Sequence, residues 1–156
     1  MRLALYEPDI PQNTGAIMRL CSCFATPLDI IEPCGFALND RKMRRAGMDY
    51  IEQLDLTRHS DWDAFYQHTR ENNHRIILLT TKATTSFVDF SFQTGDILMA
   101  GRESVGVPES VHAQVDERIT IPMAPAARSI NVSQSCAIVL SEALRQTNGF
   151  AIQSET

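Results

Sequence analysis

Three short segments of the 156-residue chain concentrate the side chains that could do chemistry. The first, Pro11-Gln12-Asn13-Thr14-Gly15-Ala16-Ile17-Met18-Arg19, sets a glycine and then an arginine one helical turn later on the same face. A guanidinium there can clamp a phosphate or carboxylate with two parallel hydrogen bonds, although taken alone Arg19 reads as a surface residue. The second, Gly101-Arg102-Glu103-Ser104-Val105-Gly106-Val107-Pro108, follows directly on an apolar run. Its two glycines let backbone N–H and C=O groups meet a ligand edge-on, which suits a nucleoside-like group; a plain turn would use the same residues. The third runs from Ile121 through Pro122, Met123, Pro125, Arg128, Ser129 and Asn131 to Ser133. Ser129 and Asn131 are both good helix caps, and a helix needs one of them.

Other chemistries find no support. There is neither a Gly-Lys-Ser/Thr phosphate loop nor a Gly-x-Gly-x-x-Gly dinucleotide fingerprint. Cys21, Cys23, Cys34 and Cys136 form no Cys-x-x-Cys pair, and His59, His68, His74 and His112 have no ligand-like spacing near them. No metal site is expected, and the cysteines are expected to be buried, reduced thiols.

The three segments need a scaffold that brings them together. Leu3–Tyr6, Leu28–Ile31, Ile76–Thr80, Ile97–Ala100 and Ile119–Ile121 are short, mainly apolar runs whose length and β-branched content favour buried strands. Between them, Ile17, Leu20, Cys21 and Phe24 recur at helical spacing, which predicts a helix from about Asn13 to Ala25, stopped by Pro27. A second helix is expected from Ser60 to Glu71, with Trp62, Phe65 and Tyr66 inward and Ser60 or Asp61 as cap. The last runs from Asn131 to Gln146, with Val132, Cys136, Val139, Leu140 and Ala143 on one face and Gly149 just beyond its end. Strand and helix in alternation predict an α/β fold: a mostly parallel sheet with helices on both faces. Open sheets of this kind build ligand sites at the carboxyl ends of their strands, where the glycine-rich and polar segments fall. One domain is expected over 1–156, with a frayed tail from about 150.

Formal net charge is −5, the wrong sign for a protein that holds nucleic acid over its whole surface. Asp40-Arg41-Lys42-Met43-Arg44-Arg45 is a local exception, readable as a solvated helix face or as an RNA-contacting patch. The opening apolar run is too short for a secretion signal and no stretch approaches the ~20 residues of a membrane span, so a cytoplasmic protein without membrane contact is expected.

Taken together and in this order, the three segments resemble the signature motifs of the SPOUT methyltransferase superfamily over nearly the whole chain. Leu5-Tyr6-Glu7-Pro8-Asp9-Ile10-Pro11-Gln12-Asn13-Thr14-Gly15, Ile30-Ile31-Glu32-Pro33, Arg44-Arg45-Ala46-Gly47-Met48-Asp49-Tyr50 and Arg128-Ser129-Ile130-Asn131 look like the small tRNA wobble-nucleotide 2′-O-methyltransferases. The resemblance implies a C-terminal trefoil knot, S-adenosyl-L-methionine as cofactor, tRNA as partner and a homodimer. It implies cofactor contacts at Leu79, Gly101, Ile121, Met123 and Ser129. Arg19, Glu103 and Asn131 would surround the reacting groups, with Arg19 of one subunit near the cofactor of the other. Arg41, Lys42, Arg44 and Arg45 would meet the RNA backbone. An ordinary arginine stays protonated, so Arg19 is expected to clamp a phosphate and favour loss of the hydroxyl proton electrostatically, with Glu103 and Asn131 orienting the hydroxyl and Arg19. Two positions depart from the pattern: Ser141 stands where tyrosine is common, and Gln12 where a second proline is frequent. The same chemistry on another tRNA or ribosomal RNA site, or a binding module without activity, are the competing readings; a flavodoxin-like or response-regulator domain lacks its acidic cluster or phosphate loop.

Overall fold

The computed structural model describes residues 1–39 and 41–152, the side chains at 43, 44 and 47–50 excepted. Strands β1 (Arg2–Tyr6), β2 (Leu28–Ile31), β3 (Leu56–His59), β4 (Ile76–Leu79), β5 (Ile97–Ala100) and β6 (Glu117–Ile119) form one six-stranded sheet in the order β3-β2-β1-β5-β4-β6. Every pairing is parallel. Helices α1 (Pro11–Cys23), α2 (Arg41–Gly47), α3 (Trp62–Glu71), α4 (Glu109–Gln114) and α5 (Val132–Thr147), with a 3₁₀ turn at Met48–Gln53, make the crossovers.

The strand period of two sorts the core into two layers. Leu3 and Leu5 of β1 share one with Ile17 and Met18 of α1 and Val139 and Leu140 of α5. Ala4 and Tyr6 face the other way, toward Phe65 of α3 and Val111 of α4. Both faces are thus covered, as parallel strands require. Phe65 is fully buried, while Trp62 and Tyr66 pack at the edge of that layer.

The observed boundaries correct the expected ones. α1 starts two residues earlier, because Pro11 at the first turn forfeits no internal hydrogen bond. β6 ends at Ile119 rather than beginning there, since its ladder to β4 runs from Glu117 to Ile119. β3 was not anticipated: Leu-Thr-Arg-His is an edge strand without an apolar run. Asp61, not Ser60, caps α3 by accepting from the Ala64 N–H at 2.8 Å. At the end of α5 the left-handed residue is Asn148 (φ 51°), not Gly149, whose N–H closes the helix on the Leu144 carbonyl. Cys21 and Cys136 are buried, but Cys34 is half-buried and Cys23 exposed, so the expectation of four buried thiols fails for those two. The expected tail from 150 lies outside the described residues beyond Ile152, and Phe150 packs edge-on against Phe24 with ring centroids 5.6 Å apart.

Among the described residues no helix is long and apolar enough to cross a membrane, and no group of three His, Cys, Asp or Glu could hold a metal ion. The buried Asp29 carboxylate is matched by Arg2 at 2.8 Å and by His59 at 2.8 Å, as a buried charge must be.

Candidate functional site

A cavity of about 380 Å³ opens at the carboxyl ends of β4, β5 and β6. That volume falls in the range of small-molecule sites. Its lining is apolar at Leu78, Leu79, Ala100, Ile121, Met123 and Ile130 and polar at Thr80, Thr81, Glu103, Ser129 and Asn131. Seven of the residues singled out from sequence line it: Leu79, Gly101, Ile121, Met123, Ser129, Glu103 and Asn131. Arg19 is not among them; it is exposed on α1 and does not line the cavity of its own chain. Arg41, Lys42 and Arg45 are exposed on α2, while the Arg44 side chain lies outside the described residues.

One wall is a tight hairpin closed by Arg102 and Gly106, whose N–H groups donate to each other's carbonyls at 3.1 and 2.8 Å. Gly106 takes a left-handed φ of 69°. Gly101 is required by space, since a Cβ there would lie 2.9 Å from the Gly106 carbonyl carbon. The hairpin is clasped to the segment before α1. Arg102 donates to Glu7 at 3.3 Å and lies 3.7 Å from the Asp9 carboxylate, to which the Ser104 hydroxyl also donates.

Within this clasp a hydrogen-bonded relay joins all three sequence segments. Glu103 accepts from the Asp9 backbone N–H at 3.0 Å and from the Asn13 amide at 3.5 Å. Asn13 in turn accepts from the Asn131 amide at 3.0 Å. The Asn131 oxygen accepts from the Ser133 N–H at 2.9 Å and the Gln134 N–H at 3.4 Å, which caps α5 and fixes which way the amide faces. Asn131 is therefore cap and site residue at once, and Ser129 is left to the cavity wall. Burial, then the adjacent Asp9 carboxyl, pushes the Glu103 carboxyl above the usual carboxylate range, whereas Asp9 is held low, chiefly by its hydrogen bond with Glu103. Cys136, behind the site, is pushed up to about 12 by burial and then by Glu103, which leaves it a packing thiol.

The sequence reading missed Asn13 and Asp9 as site residues, and had Glu103 orienting Arg19; within one chain Glu103 holds Asn13 instead. The signal for Asn13 lay in its segment, where it was read as part of the helix start. Ser141 donates back to the Ile138 carbonyl at 2.8 Å and stays on its own helix. Apolar lining residues and strand-end backbone edges suit a nucleoside-like ligand better than a phosphate-rich one.

Residues 1–141 match the SpoU rRNA Methylase family. The chain is 52% identical over 149 residues to a tRNA (cytidine(34)-2'-O)-methyltransferase of Beijerinckia indica, covering 96% of this chain and 93% of that protein. It is 46% identical over 148 residues to the enzyme of the same name from Escherichia coli K12, covering 94% and 93%. A solved structure described as giving insight into the 2-OH methylation of C/U34 on tRNA superposes with a TM-score of 0.90 at 36% identity, over 95% of this chain and 96% of that one. The SpoU methyltransferase AviRb from Streptomyces viridochromogenes, solved with the cofactor AdoMet, shares the fold with a TM-score of 0.87 at 21% identity, over 94% of this chain and 60% of that one.

Proposed function

The chain belongs to the SpoU rRNA methylase family, and on that premise we propose that it transfers a methyl group from S-adenosyl-L-methionine to the ribose 2′-hydroxyl of tRNA nucleotide 34, the wobble position. The observation that carries the reading is the 52% identity, over 96% of this chain, to an enzyme named for that reaction, joined to a cavity whose lining combines apolar side chains with the relay from Glu103 through Asn13 to Asn131. When bound, S-adenosyl-L-methionine supplies an electrophilic methyl group. Leu79, Gly101, Ile121, Met123 and Ser129 would hold it, through apolar contact and backbone edges.

What remains for the protein is positioning. Holding two reactants at near-attack geometry can remove roughly 7 kcal/mol or more of a barrier. Asn131, with its oxygen committed to α5 and one N–H to Asn13, has a second N–H with which to orient the acceptor hydroxyl. Glu103 anchors Asn13, which in turn holds Asn131. Arg19, exposed on α1, would serve the cavity of a second copy, clamping a phosphate next to the target ribose. The exposed Ile10 and Ile138, on the entry to α1 and on α5, support pairing of those helices in a homodimer. Arg41, Lys42, Arg44 and Arg45 would contact the RNA backbone.

The reading extends to a trefoil knot within one domain over 1–156. In its favour, the chain returns from β6 at the sheet edge to α5 over β5 and α1, and Gln146 of α5 ties to the 80–96 loop through the Phe90 carbonyl at 3.0 Å and the Phe92 N–H at 2.9 Å. A tRNA substrate puts the work in the cytoplasm. The test is transfer of labelled methyl from S-adenosyl-L-methionine to bulk tRNA lacking the modification. Label on tRNA that is lost with Arg19→Ala is expected; label on ribosomal RNA alone would overturn the substrate, and none on either would overturn the activity.

A further inference from the structure

Half of the twelve arginines in this acidic chain are held in ion pairs with its own carboxylates. Arg2, Arg58, Arg70, Arg75, Arg102 and Arg145 each sit in an ion pair with an Asp or Glu. Two exposed cations outside α2, Lys82 and Arg128, have side chains with no ion pair or hydrogen bond among the described residues. Each is the chain neighbour of a residue that lines the cavity. Lys82 follows the lining residues Thr80 and Thr81 in a turn where its N–H bonds the Thr80 hydroxyl at 3.2 Å. Arg128 precedes the lining residue Ser129, just past a turn closed by the Ala127 N–H on the Ala124 carbonyl at 2.9 Å.

The surrounding sequence sharpens the charge. No Asp or Glu occurs from 76 to 88 or from 119 to 141, although the chain holds 19 of them. Two acid-free stretches, each with one cation exposed to solvent, therefore follow β4 and β6 next to residues that line the cavity. Because the strands are parallel, both loops leave the sheet at its carboxyl edge, where the site opens. Cations held on loops without local acids keep their field for an incoming anion, and the anion a nucleic acid presents at each residue is phosphate.

We propose that Lys82 and Arg128 bind backbone phosphates of the RNA strand that delivers its ribose to the cavity, a contact set separate from α2. The inference rests on the RNA substrate proposed above. These side chains set the register of the strand and do not take part in the methyl transfer.

The experiment measures binding of unmodified tRNA to the full-length protein across a salt series, for Lys82→Ala, Arg128→Ala and the double variant, with Arg145→Ala as control. Each contact with a single strand contributes roughly 0.7 to the slope of log affinity against log salt. Each single substitution is expected to flatten the slope by about that amount and the double variant by about 1.4, additively. The KM for tRNA should rise several-fold, with kcat and the affinity for S-adenosyl-L-methionine unchanged; Arg145→Ala should keep the wild-type slope. An unchanged slope in a wild type that does methylate tRNA would overturn this inference alone. Loss of cofactor affinity without RNA would also overturn it, by assigning the cations to the cofactor's carboxylate. A wild type that neither binds nor methylates tRNA would overturn it together with the RNA reading.

Discussion

Replacing Gly101 with alanine puts a methyl group at the point where β5 becomes the cavity wall. The new Cβ would lie 2.9 Å from the Gly106 carbonyl carbon, 3.0 Å from its Cα and 3.2 Å from Val107 Cγ1, where ordinary contact begins at 3.4 Å. Two of these obstacles are backbone atoms in a hairpin closed by hydrogen bonds of 3.1 and 2.8 Å, so no rotamer change relieves them. The hairpin must retreat by roughly half an ångström, carrying Glu103 with it, and overpacking of this kind costs roughly 1–3 kcal/mol. Felt wholly in the site, that is a loss of about 5- to 150-fold in affinity for S-adenosyl-L-methionine. Gly106→Ala makes the complementary case: nothing lies within 4 Å of its Cβ, and only the φ of 69° resists, at roughly 1–2 kcal/mol for a left-handed residue. Calorimetric titration with the cofactor, beside thermal denaturation, measures both. If Gly101→Ala bound within twofold of wild type at an unchanged Tm, the hairpin would not be the rigid wall described.

Other substitutions separate the roles that share a residue. Asn131→Asp keeps the cap on α5 but loses the amide N–H to Asn13, so turnover should fall at least about tenfold with Tm retained, whereas Asn131→Ala should also lose about 1 kcal/mol of stability; equal turnover in wild type and Asn131→Asp would refute the relay. The raised pKa of Glu103 means that the folded state binds its proton more tightly than the unfolded state does. Its contribution to stability is complete below the unfolded carboxyl value of 4.5 and is lost as pH rises through the folded pKa. Glu103→Gln should therefore gain Tm relative to wild type between pH 4.5 and 7, and a difference constant across that range would contradict the assignment. Arg19→Lys keeps the charge but not the two-pronged donor, and should lower kcat at least about tenfold, which steady-state kinetics on tRNA would read; near-full turnover with unchanged RNA affinity would rule out the clamp.

The parts of the fold legible in the sequence are those where one residue type dominates a short window. β4 and β5 are unbroken apolar runs, and β1 and β2 are interrupted only by the ion-paired Arg2 and Asp29, because both faces of these strands are covered; α1 and α5 show their stripes. β3 and β6 are edge strands whose Arg58, Glu117 and Arg118 face partly outward, so hydrophobic pattern does not distinguish them from loop. α2 and α4 are too short to establish a period, and α2 carries charge where an apolar stripe would be sought. For the site, glycine and cap chemistry marked the three segments, and seven of the chosen residues do line one cavity. The bond from Asn131 to Asn13 spans 118 positions, and no local spacing encodes it. The outward placement of Arg19 was equally invisible, because a helical period tells which residues share a face but not whether that face meets its own chain or another.

The most direct test of the central claim locates the transferred methyl group. Unmodified tRNA is treated with the protein and S-adenosyl-L-methionine, the anticodon fragment is isolated by nuclease digestion, and its nucleosides are identified by mass spectrometry. One added methyl on the ribose of nucleotide 34, formed at least about tenfold more slowly with Asn131→Asp, is the expected result; a methyl on a base, at another tRNA position, or only on ribosomal RNA would contradict the account.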